Sequence, residues 1–241
     1  MEKTPNDQKI FVLRDHESSI LTKASLSKLG FNPISIPLVS YQVTASTKVL
    51  SQVLKAYKPE MILLASERAC SYFFELCRKL QLNSDYEFIV VGERAEKFLR
   101  AQGLNVVISC QKFLDLQFAK IKPEQRILYP SSRERNSQEL EMLRKKGLEI
   151  KDIELYAVNF LGMQKELILA LKESPNLPIL VYSSSQAKAL SNYPAFQAQI
   201  FCLGERTFHS LQSLGFKKVL VSPQANEESL LELLKSFYLC E

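Results

Sequence analysis

The chain has 241 residues, of which 46% are hydrophobic and 24% are charged, and its formal net charge is +5. This composition is typical of a globular protein, and the length suits two domains. No apolar run approaches the ~20 residues of a membrane span, and the polar N-terminus predicts no export signal. The basic residues form no stripe along the sequence, so we expect neither a membrane nor a nucleic acid as partner.

Cysteine and histidine are too few and too scattered to predict a metal site. The five cysteines have no C-x-x-C spacing, and His16 and His209 alone cannot supply a multi-histidine centre. Unpaired thiols in a reducing cytosol are the better interpretation. The sequence therefore predicts a cytoplasmic protein without a bound metal.

Short apolar runs recur along the chain and alternate with stretches of helical spacing. The runs are continuous, which is typical of strands buried on both faces of a parallel sheet. Their alternation with helices predicts an α/β, doubly wound architecture with flavodoxin-like parallel sheets. In chain order the predicted strands are IFVL (10–13), MILLA (61–65), FIVV (88–91), VVIS (106–109), RILY (126–129), ILVY (179–182), IFCL (200–203) and VLVS (219–222).

The two halves of the chain carry the same units in the same order, and they divide near Pro123. The strand and helix that start at Ile10 recur from Ile127. MILLASERAC in the first half is matched by PILVYSSSQA in the second, and the Gly-Glu-Arg unit at Gly92 recurs at Gly204. The chain therefore holds two copies of a five-unit βα array.

Two segments, 34–43 and 150–160, interrupt this pattern because they are longer and mix apolar with polar residues. Pro37 lacks an N–H group and does not suit a central strand. We expect two exposed strands that pair with each other and connect two bodies. The first βα unit would then pack with the second half of the chain.

Polar loops follow the predicted strands, which is where open α/β sheets bind their ligands. The free N–H groups at the start of each following helix favour anions, so repeated loops of this kind predict a site for a large polyanion. The alternative is structural, since such a serine is often only a helix cap and such a glycine only serves a turn. The candidate binding residues in these loops are Arg14, Ser66, Gly92, Arg133, Ser183, Ser184 and Gly204.

A tyrosine is the remaining catalytic candidate, because the chain has no G-x-S-x-G elbow, Walker loop or dinucleotide motif. Tyr156 lies in the second long segment, and a phenol can donate a proton as a general acid. The alternative is that Tyr156 is a half-buried strand aromatic without a chemical role.

The order and spacing of these motifs resemble the uroporphyrinogen-III synthase family over nearly the whole chain. The motifs are VLRDHESSILTKASLSKLG with IPLVSYQV, MILLASERAC, VVGERAEKFLRAQG, ILYPSSRERNSQELEMLRKKGLEIKDIELYAV, ILVYSSSQA, CLGERTFHSLQSLG and SPQANEESLLELL. The resemblance implies two α/β domains joined by a two-stranded β linker. One domain would combine 1–37 with 160–241, the inserted domain would span 43–150, and the linker strands would lie at about 38–42 and 151–159.

The resemblance further implies a cyclising lyase that needs no metal or cofactor. Its substrate would be hydroxymethylbilane, a linear tetrapyrrole with eight carboxylates, which loses water and closes with ring D inverted. Tyr156 matches the tyrosine considered to assist water loss, Arg14 matches the arginine after the first strand, and Thr207 matches the hydroxyl of a G-x-x-T motif. The sequence departs from the family at Ala95, where Thr or Ser is common, and at Glu205 and Arg206, where a second hydroxyl residue or proline is common. The family's arginine-glycine turn after the sixth strand reads Ser131-Ser132-Arg133 here.

We therefore expect a cytoplasmic, monomeric enzyme of porphyrin and heme biosynthesis. A non-catalytic two-domain module of the same fold, binding a small anion or a tetrapyrrole, is the alternative. Tyr156 on the linker segment favours the enzyme. A periplasmic solute-binding protein is disfavoured because no export signal is predicted.

Overall fold

The computed structural model describes residues 8–81 and 86–239. Packing divides the chain into two compact units. Unit 1 comprises the described residues within 1–40 and 159–241, and unit 2 comprises those within 41–158. None of the described helices combines the length and the apolar character that crossing a membrane requires.

Strands and helices alternate through most of the described chain. The strands are β1 (Lys9–Val12), β2 (Asn32–Ser35), β3 (Val39–Val43), β4 (Met61–Leu64), β5 (Glu87–Val91), β6 (Val106–Cys110), β7 (Ile127–Ser132), β8 (Ile150–Phe160), β9 (Pro178–Val181), β10 (Gln199–Cys202) and β11 (Val219–Val221). The helices are α1 (His16–Lys28), α2 (Thr47–Tyr57), α3 (Glu67–Lys79), α4 (Glu93–Ala101), α5 (Ser137–Lys145), α6 (Lys165–Glu173), α7 (Ser184–Leu190), α8 (Glu205–Ser213) and α9 (Glu227–Leu239), with a 3₁₀ helix at Phe113–Phe118.

The sheet of unit 1 has the spatial order β11-β10-β9-β1-β2, and its pairings are parallel. This is the flavodoxin-like, doubly wound order. Its strands are apolar because helices cover both faces of such sheets, and Ile10, Leu180 and Phe201 are fully buried. The predicted α/β class with parallel sheets is confirmed.

The sheet of unit 2 has the spatial order β3-β8-β7-β4-β5-β6, with parallel pairings from β8 to β6. When the strands are counted from β7, the order β8-β7-β4-β5-β6 repeats that of unit 1. Unit 2 is therefore a circularly permuted version of the same sheet, with β3 added at one edge. Leu63, Ile89 and Ile127 belong to its apolar core.

Each sheet combines strands from both sequence copies. In unit 1, β1 and β2 of the first copy join β9, β10 and β11 of the second. In unit 2, β7 and β8 of the second copy join β4, β5 and β6 of the first. The repeat in the sequence thus corresponds to two equivalent sheets. Each sheet takes two of its equivalent strands from one sequence copy and three from the other.

The two long segments differ from each other in the structure. The segment 34–43 is not one strand: β2 ends at Ser35, β3 begins at Val39, and Pro37 lies in the break. The strand β3 lies close to the linker strand of about 38–42 that the resemblance implies, and Pro37, which cannot donate a ladder hydrogen bond, separates it from β2. The segment 150–160 is one strand, β8, which lies beside β3 and pairs with β7 from Ile150 to Tyr156. It therefore belongs to the sheet of unit 2 as well as connecting the units.

The inserted domain is expected to fold alone only if it keeps β8. We expect a fragment of residues 41–158 to unfold cooperatively in urea, and a fragment of residues 43–150 to show no cooperative transition. The shorter fragment lacks the buried side chains of Leu155 and Val158, among others. Each such side chain contributes about 1.5–3 kcal/mol, against a net stability of about 5–15 kcal/mol. Equal transition midpoints for the two fragments, followed by circular dichroism, would contradict this expectation.

Candidate functional site

The carboxyl ends of the parallel strands bring the polar loops of each unit to one edge of its sheet. Doubly wound sheets bind ligands at the switch point, where the strand order reverses. In unit 1 the switch point lies between β1 and β9, and it is flanked by Arg14 and Ser183. In unit 2 it lies between β4 and β7, and it is flanked by Ser66 and Arg133.

The switch point of unit 1 is occupied by polar side chains of the unit itself. Arg14 donates from Nη1 to Glu227 Oε2 at 2.6 Å, and its guanidinium lies 4.5 Å from the centre of the Tyr182 ring. The Thr22 hydroxyl accepts from Arg14 Nη1 at 3.3 Å and donates to the Glu227 carboxylate. Arg14, predicted to bind a substrate carboxylate, holds a carboxylate of its own chain here.

Burial of the Tyr182 phenol at this switch point affects its ionisation. Burial raises the pKa of Tyr182, and the Glu227 carboxylate raises it further, whereas the Arg14 guanidinium opposes the increase. Tyr182 therefore stays neutral at physiological pH and presents its ring face to Arg14.

The serines that follow β9 have separate local partners. Ser183 is the N-cap of α7, and its hydroxyl accepts from the Gln186 N–H group at 3.3 Å. The Ser184 hydroxyl donates to the backbone oxygen of Arg206 at 3.3 Å, which links the first turns of α7 and α8. Thr207, also in α8, is buried and only 6% exposed.

The two Gly-Glu-Arg units have different backbone conformations at their glycines. Gly92 has a φ of +91°, in the region that disfavours other residues, although a Cβ atom there would meet nothing within 4 Å. Gly204 is extended, with a φ of −170°, but a Cβ atom there would approach the Ala225 Cβ to 3.3 Å. Glycine is thus required by backbone conformation at Gly92 and favoured by close packing at Gly204.

Two sequence-predicted residues, Ser66 and Tyr156, come together in unit 2. Ser66 is the N-cap of α3, and its Oγ accepts from the Ala69 N–H group at 3.1 Å. The same Oγ lies 3.4 Å from the Tyr156 Oη, so that one hydroxyl donates to the other. Ser66 is therefore a helix cap, and its hydroxyl also contacts the candidate acid Tyr156.

An aromatic cluster of Tyr41, Tyr72 and Tyr156 surrounds this hydroxyl pair. The Tyr156 ring packs edge-on, at 5.4 Å from the Tyr72 ring and 6.3 Å from the Tyr41 ring, and the residue is 8% exposed. The Arg68 guanidinium lies 3.5 Å from the centre of the Tyr41 ring. Burial raises the pKa of Tyr156, while the Ser66 hydroxyl and the Arg68 charge lower it.

The end of β7 closes the other side of the same switch point. Arg133 is exposed and pairs with Glu154 through two contacts, of 2.9 and 3.1 Å. Its backbone N–H donates to the backbone carbonyl oxygen of Tyr156 at 2.8 Å, which is a strand contact and does not involve the phenol. Within the described residues, the buried Ser131 Oγ has no hydrogen-bond partner.

The structure adds residues that the sequence did not single out. Glu227 and Tyr182 surround Arg14, and Arg68, Tyr72 and Tyr41 surround Tyr156. The sequence spacing could have linked two of these residues, because Arg68 and Tyr72 are four residues apart on α3 and therefore share a helix face. No local pattern links Arg14 to Glu227, since they are joined only by the tertiary fold.

The chain resembles one protein family and several solved structures. The family model described as uroporphyrinogen-III synthase HemD matches residues 21–232. A mutant uroporphyrinogen III synthase from the extremely thermophilic bacterium Thermus thermophilus is 16% identical with a TM-score of 0.70, covering 95% of this chain and 97% of that chain. The uroporphyrinogen-III synthetase of Helicobacter pylori is 17% identical with a TM-score of 0.65, covering 95% and 99%.

A second crystal form from Thermus thermophilus, of the wild-type uroporphyrinogen III synthase, is 18% identical with a TM-score of 0.53 and covers 96% of each chain. At such identities these likenesses show the fold. No curated protein matches the chain.

Arg14 and Arg133 form a matched pair for testing stability, because each binds a glutamate but only Arg14 is largely buried. The Arg14 side chain is 14% exposed and the Arg133 side chain is 59% exposed. We expect Arg14→Met to lower the free energy of unfolding by about 1–3 kcal/mol, because Glu227 loses a charged donor. Arg133→Met should leave the urea midpoint unchanged, since exposed pairs are screened by water. Equal effects of the two substitutions would refute this assignment.

Proposed function

The chain belongs to the uroporphyrinogen-III synthase family, and we propose that it closes hydroxymethylbilane to uroporphyrinogen III with loss of water and inversion of ring D. The observation that carries this proposal is the family match over residues 21–232. The protein is accordingly a cyclising lyase of porphyrin and heme biosynthesis. A non-catalytic anion-binding module is not favoured, because the matched family and the solved relatives carry the name of the synthase.

The polar loops at the carboxyl edge of each sheet are proposed to bind substrate carboxylates. Helices begin directly after Ser66, Gly92, Ser183 and Gly204, and the first N–H groups of a helix have no partner within it. These groups and the helix dipole favour an anion. The proposed substrate-binding residues are Arg14, Ser66, Gly92, Arg133, Ser183, Ser184, Gly204 and Thr207.

The two arginines in this set would bind substrate by exchanging one carboxylate for another. Arg133 pairs with Glu154 at an exposed position, so the exchange there costs little. Arg14 pairs with Glu227 at a more buried position. The same exchange there requires the Glu227 carboxylate to move into water, because a buried carboxylate without a partner is costly. Of the two arginines proposed to bind substrate carboxylates, Arg133 is therefore the more accessible.

Tyr156 is the proposed acid for the loss of water. The phenol proton passes to the departing hydroxyl oxygen while the C–O bond breaks, and the pyrrole nitrogen supplies the electron pair that forms the new double bond. Water leaves, the substrate becomes the protonated azafulvene, and Tyr156 is left as a phenolate. This assignment is supported by the contact of the Tyr156 hydroxyl with Ser66 at 3.4 Å, because burial of Tyr156 disfavours the phenolate and a hydrogen bond from Ser66 offsets that cost.

Ser66 is oriented to assist this proton transfer. Its Oγ already accepts from the Ala69 N–H group, so its own proton is available for the Tyr156 oxygen. A hydrogen bond donated to a phenolate stabilises the charged form, which makes the phenol a better proton donor.

The setting of the reaction is proposed to be the cytoplasm, with the enzyme acting as a monomer. Among the described cysteines, Cys70, Cys77, Cys110 and Cys202 are free thiols, as expected in a reducing compartment. Burial raises the pKa of Cys70 and Cys77 to about 12, so these thiols stay protonated and unreactive.

The activity is tested by the isomer that the protein forms. Hydroxymethylbilane closes unaided to the type I isomer, so we expect the purified protein to shift the product to type III. The products are oxidised to porphyrins and their isomer ratio is measured by chromatography. A ratio equal to that of the reaction without protein would reject the proposed function.

Replacement of the Tyr156 hydroxyl tests the proposed acid. Tyr156→Phe keeps the ring contacts with Tyr41 and Tyr72, so we expect normal folding and unchanged product binding. Turnover should fall by about 10²–10⁴-fold, the range typical of a positioned general acid. The matched control is Tyr57→Phe, which removes a phenol that donates to the Glu149 backbone oxygen at 3.0 Å. Equal turnover in both variants would leave Tyr156 as a structural residue.

A further inference from the structure

The aromatic cluster around Tyr156 is anchored by a cation. Arg68 lies in the first turn of α3, two residues after Ser66, and its guanidinium stacks on the Tyr41 ring at 3.5 Å. Tyr72 follows Arg68 by four residues on the same helix, and its ring packs edge-on against Tyr156. One helix start thus supplies a hydroxyl, a cation and an aromatic ring to the surroundings of a single phenol.

The stacking on Tyr41 limits where the Arg68 charge can lie. A guanidinium over an aromatic face is held by the ring quadrupole, which restrains an otherwise flexible side chain. Tyr41 itself packs edge-on against Tyr156, with the ring centres 6.3 Å apart. The charge is thereby kept on the side of the cluster where β3 lies beside β8.

We propose that Arg68 is a positioning residue for Tyr156: it holds Tyr41 against the Tyr156 ring and stabilises the negative charge left on the Tyr156 oxygen after proton transfer. This inference rests on the proposed role of Tyr156 as the acid. It assigns Arg68 no contact with the reacting atoms.

The charge balance around the phenol supports this role. Burial raises the pKa of Tyr156, the Ser66 hydrogen bond and the Arg68 charge lower it, and the neighbouring phenols of Tyr41 and Tyr72 raise it. A buried phenolate is costly without compensation. Arg68 is the cation in this balance, and α3 contributes it together with Tyr72, while β3 contributes Tyr41.

Loss of the Arg68 charge is therefore expected to change the pH dependence of turnover in one direction. The phenol must be protonated to act as an acid, so turnover falls as the pH rises through the pKa of Tyr156. Without Arg68 this pKa rises further, and the fall in turnover moves to higher pH. The weaker acid also lowers kcat, because less of the negative charge that develops on the Tyr156 oxygen is stabilised in the transition state.

The test uses Arg68→Met, which removes the charge, and Arg68→Lys, which keeps it without the planar stacking group. The matched control is Arg78→Met, an exposed arginine in the last turn of the same helix. Uniform incorporation of 3,5-difluorotyrosine brings phenol ionisation into a mild pH range and supplies a fluorine NMR signal. The Tyr156 signal is identified by its loss in Tyr156→Phe.

We expect the Tyr156 titration midpoint to rise in Arg68→Met, to rise less in Arg68→Lys, and to stay at the wild-type value in Arg78→Met. In the unlabelled proteins kcat should fall in Arg68→Met by less than the ~10²-fold or more expected of Tyr156→Phe, with a smaller change in KM. An unchanged midpoint in Arg68→Met overturns the inference, and so does an unchanged kcat.

The titration of the free protein separates this inference from the proposed function. If the wild-type protein forms no type III isomer but the Tyr156 midpoint still rises in Arg68→Met, the synthase activity fails while the electrostatic coupling of Arg68 to Tyr156 stands. If the isomer forms and the midpoint does not move, the coupling fails and the activity stands.

Discussion

Parallel pairing between strands from different halves of the sequence is the constraint on which the rest of this molecule depends. Parallel neighbours align their carboxyl ends, so the loops that follow them must share one edge of the sheet. The pairing of β4 with β7 brings the end of β7 beside Ser66, and the pairing of β1 with β9 brings Arg14 to Tyr182. These contacts join residues far apart in sequence, so their loop-closure entropy must be offset by burial of continuous apolar strands.

The two switch points show how equivalent sheets can carry different chemistry. In unit 1 the switch point is neutralised internally, because Arg14 is paired with Glu227 and stacked on Tyr182. In unit 2 the Arg133–Glu154 pair is exposed at the end of β7, and the neutral hydroxyls of Tyr156 and Ser66 lie next to each other. A neutral donor does not repel a polyanionic substrate, whereas a carboxylic acid in its charged form would. The proton transfer is therefore better supported in unit 2.

The repeated Gly-Glu-Arg motif shows that the same residue can be required for different reasons in two equivalent loops. Gly92 needs a positive φ, whereas Gly204 is extended and is limited by the nearby Ala225. Glycine answers both requirements because it lacks a Cβ atom, which frees the backbone in one case and leaves space in the other. A repeat in sequence is thus evidence for equivalent strands and helices, but not for equivalent loop conformations.

The sequence by itself determined the strands, the α/β class, the two-copy repeat and the family, because continuous apolar runs and helix stops are local signals that survive without tertiary context. It also located Tyr156 and Ser66, since both follow from their positions relative to the predicted strands. The long segment 34–43 is interrupted at Pro37, because proline has no N–H group to donate to a strand ladder, as its sequence position had indicated. Only the tertiary structure decided that Arg14 holds Glu227 and that Arg68 reaches Tyr156 through Tyr41. These partners come from helix starts and strand ends that the fold brings to the same sheet edge. Their spacing along the chain gives no indication of these contacts.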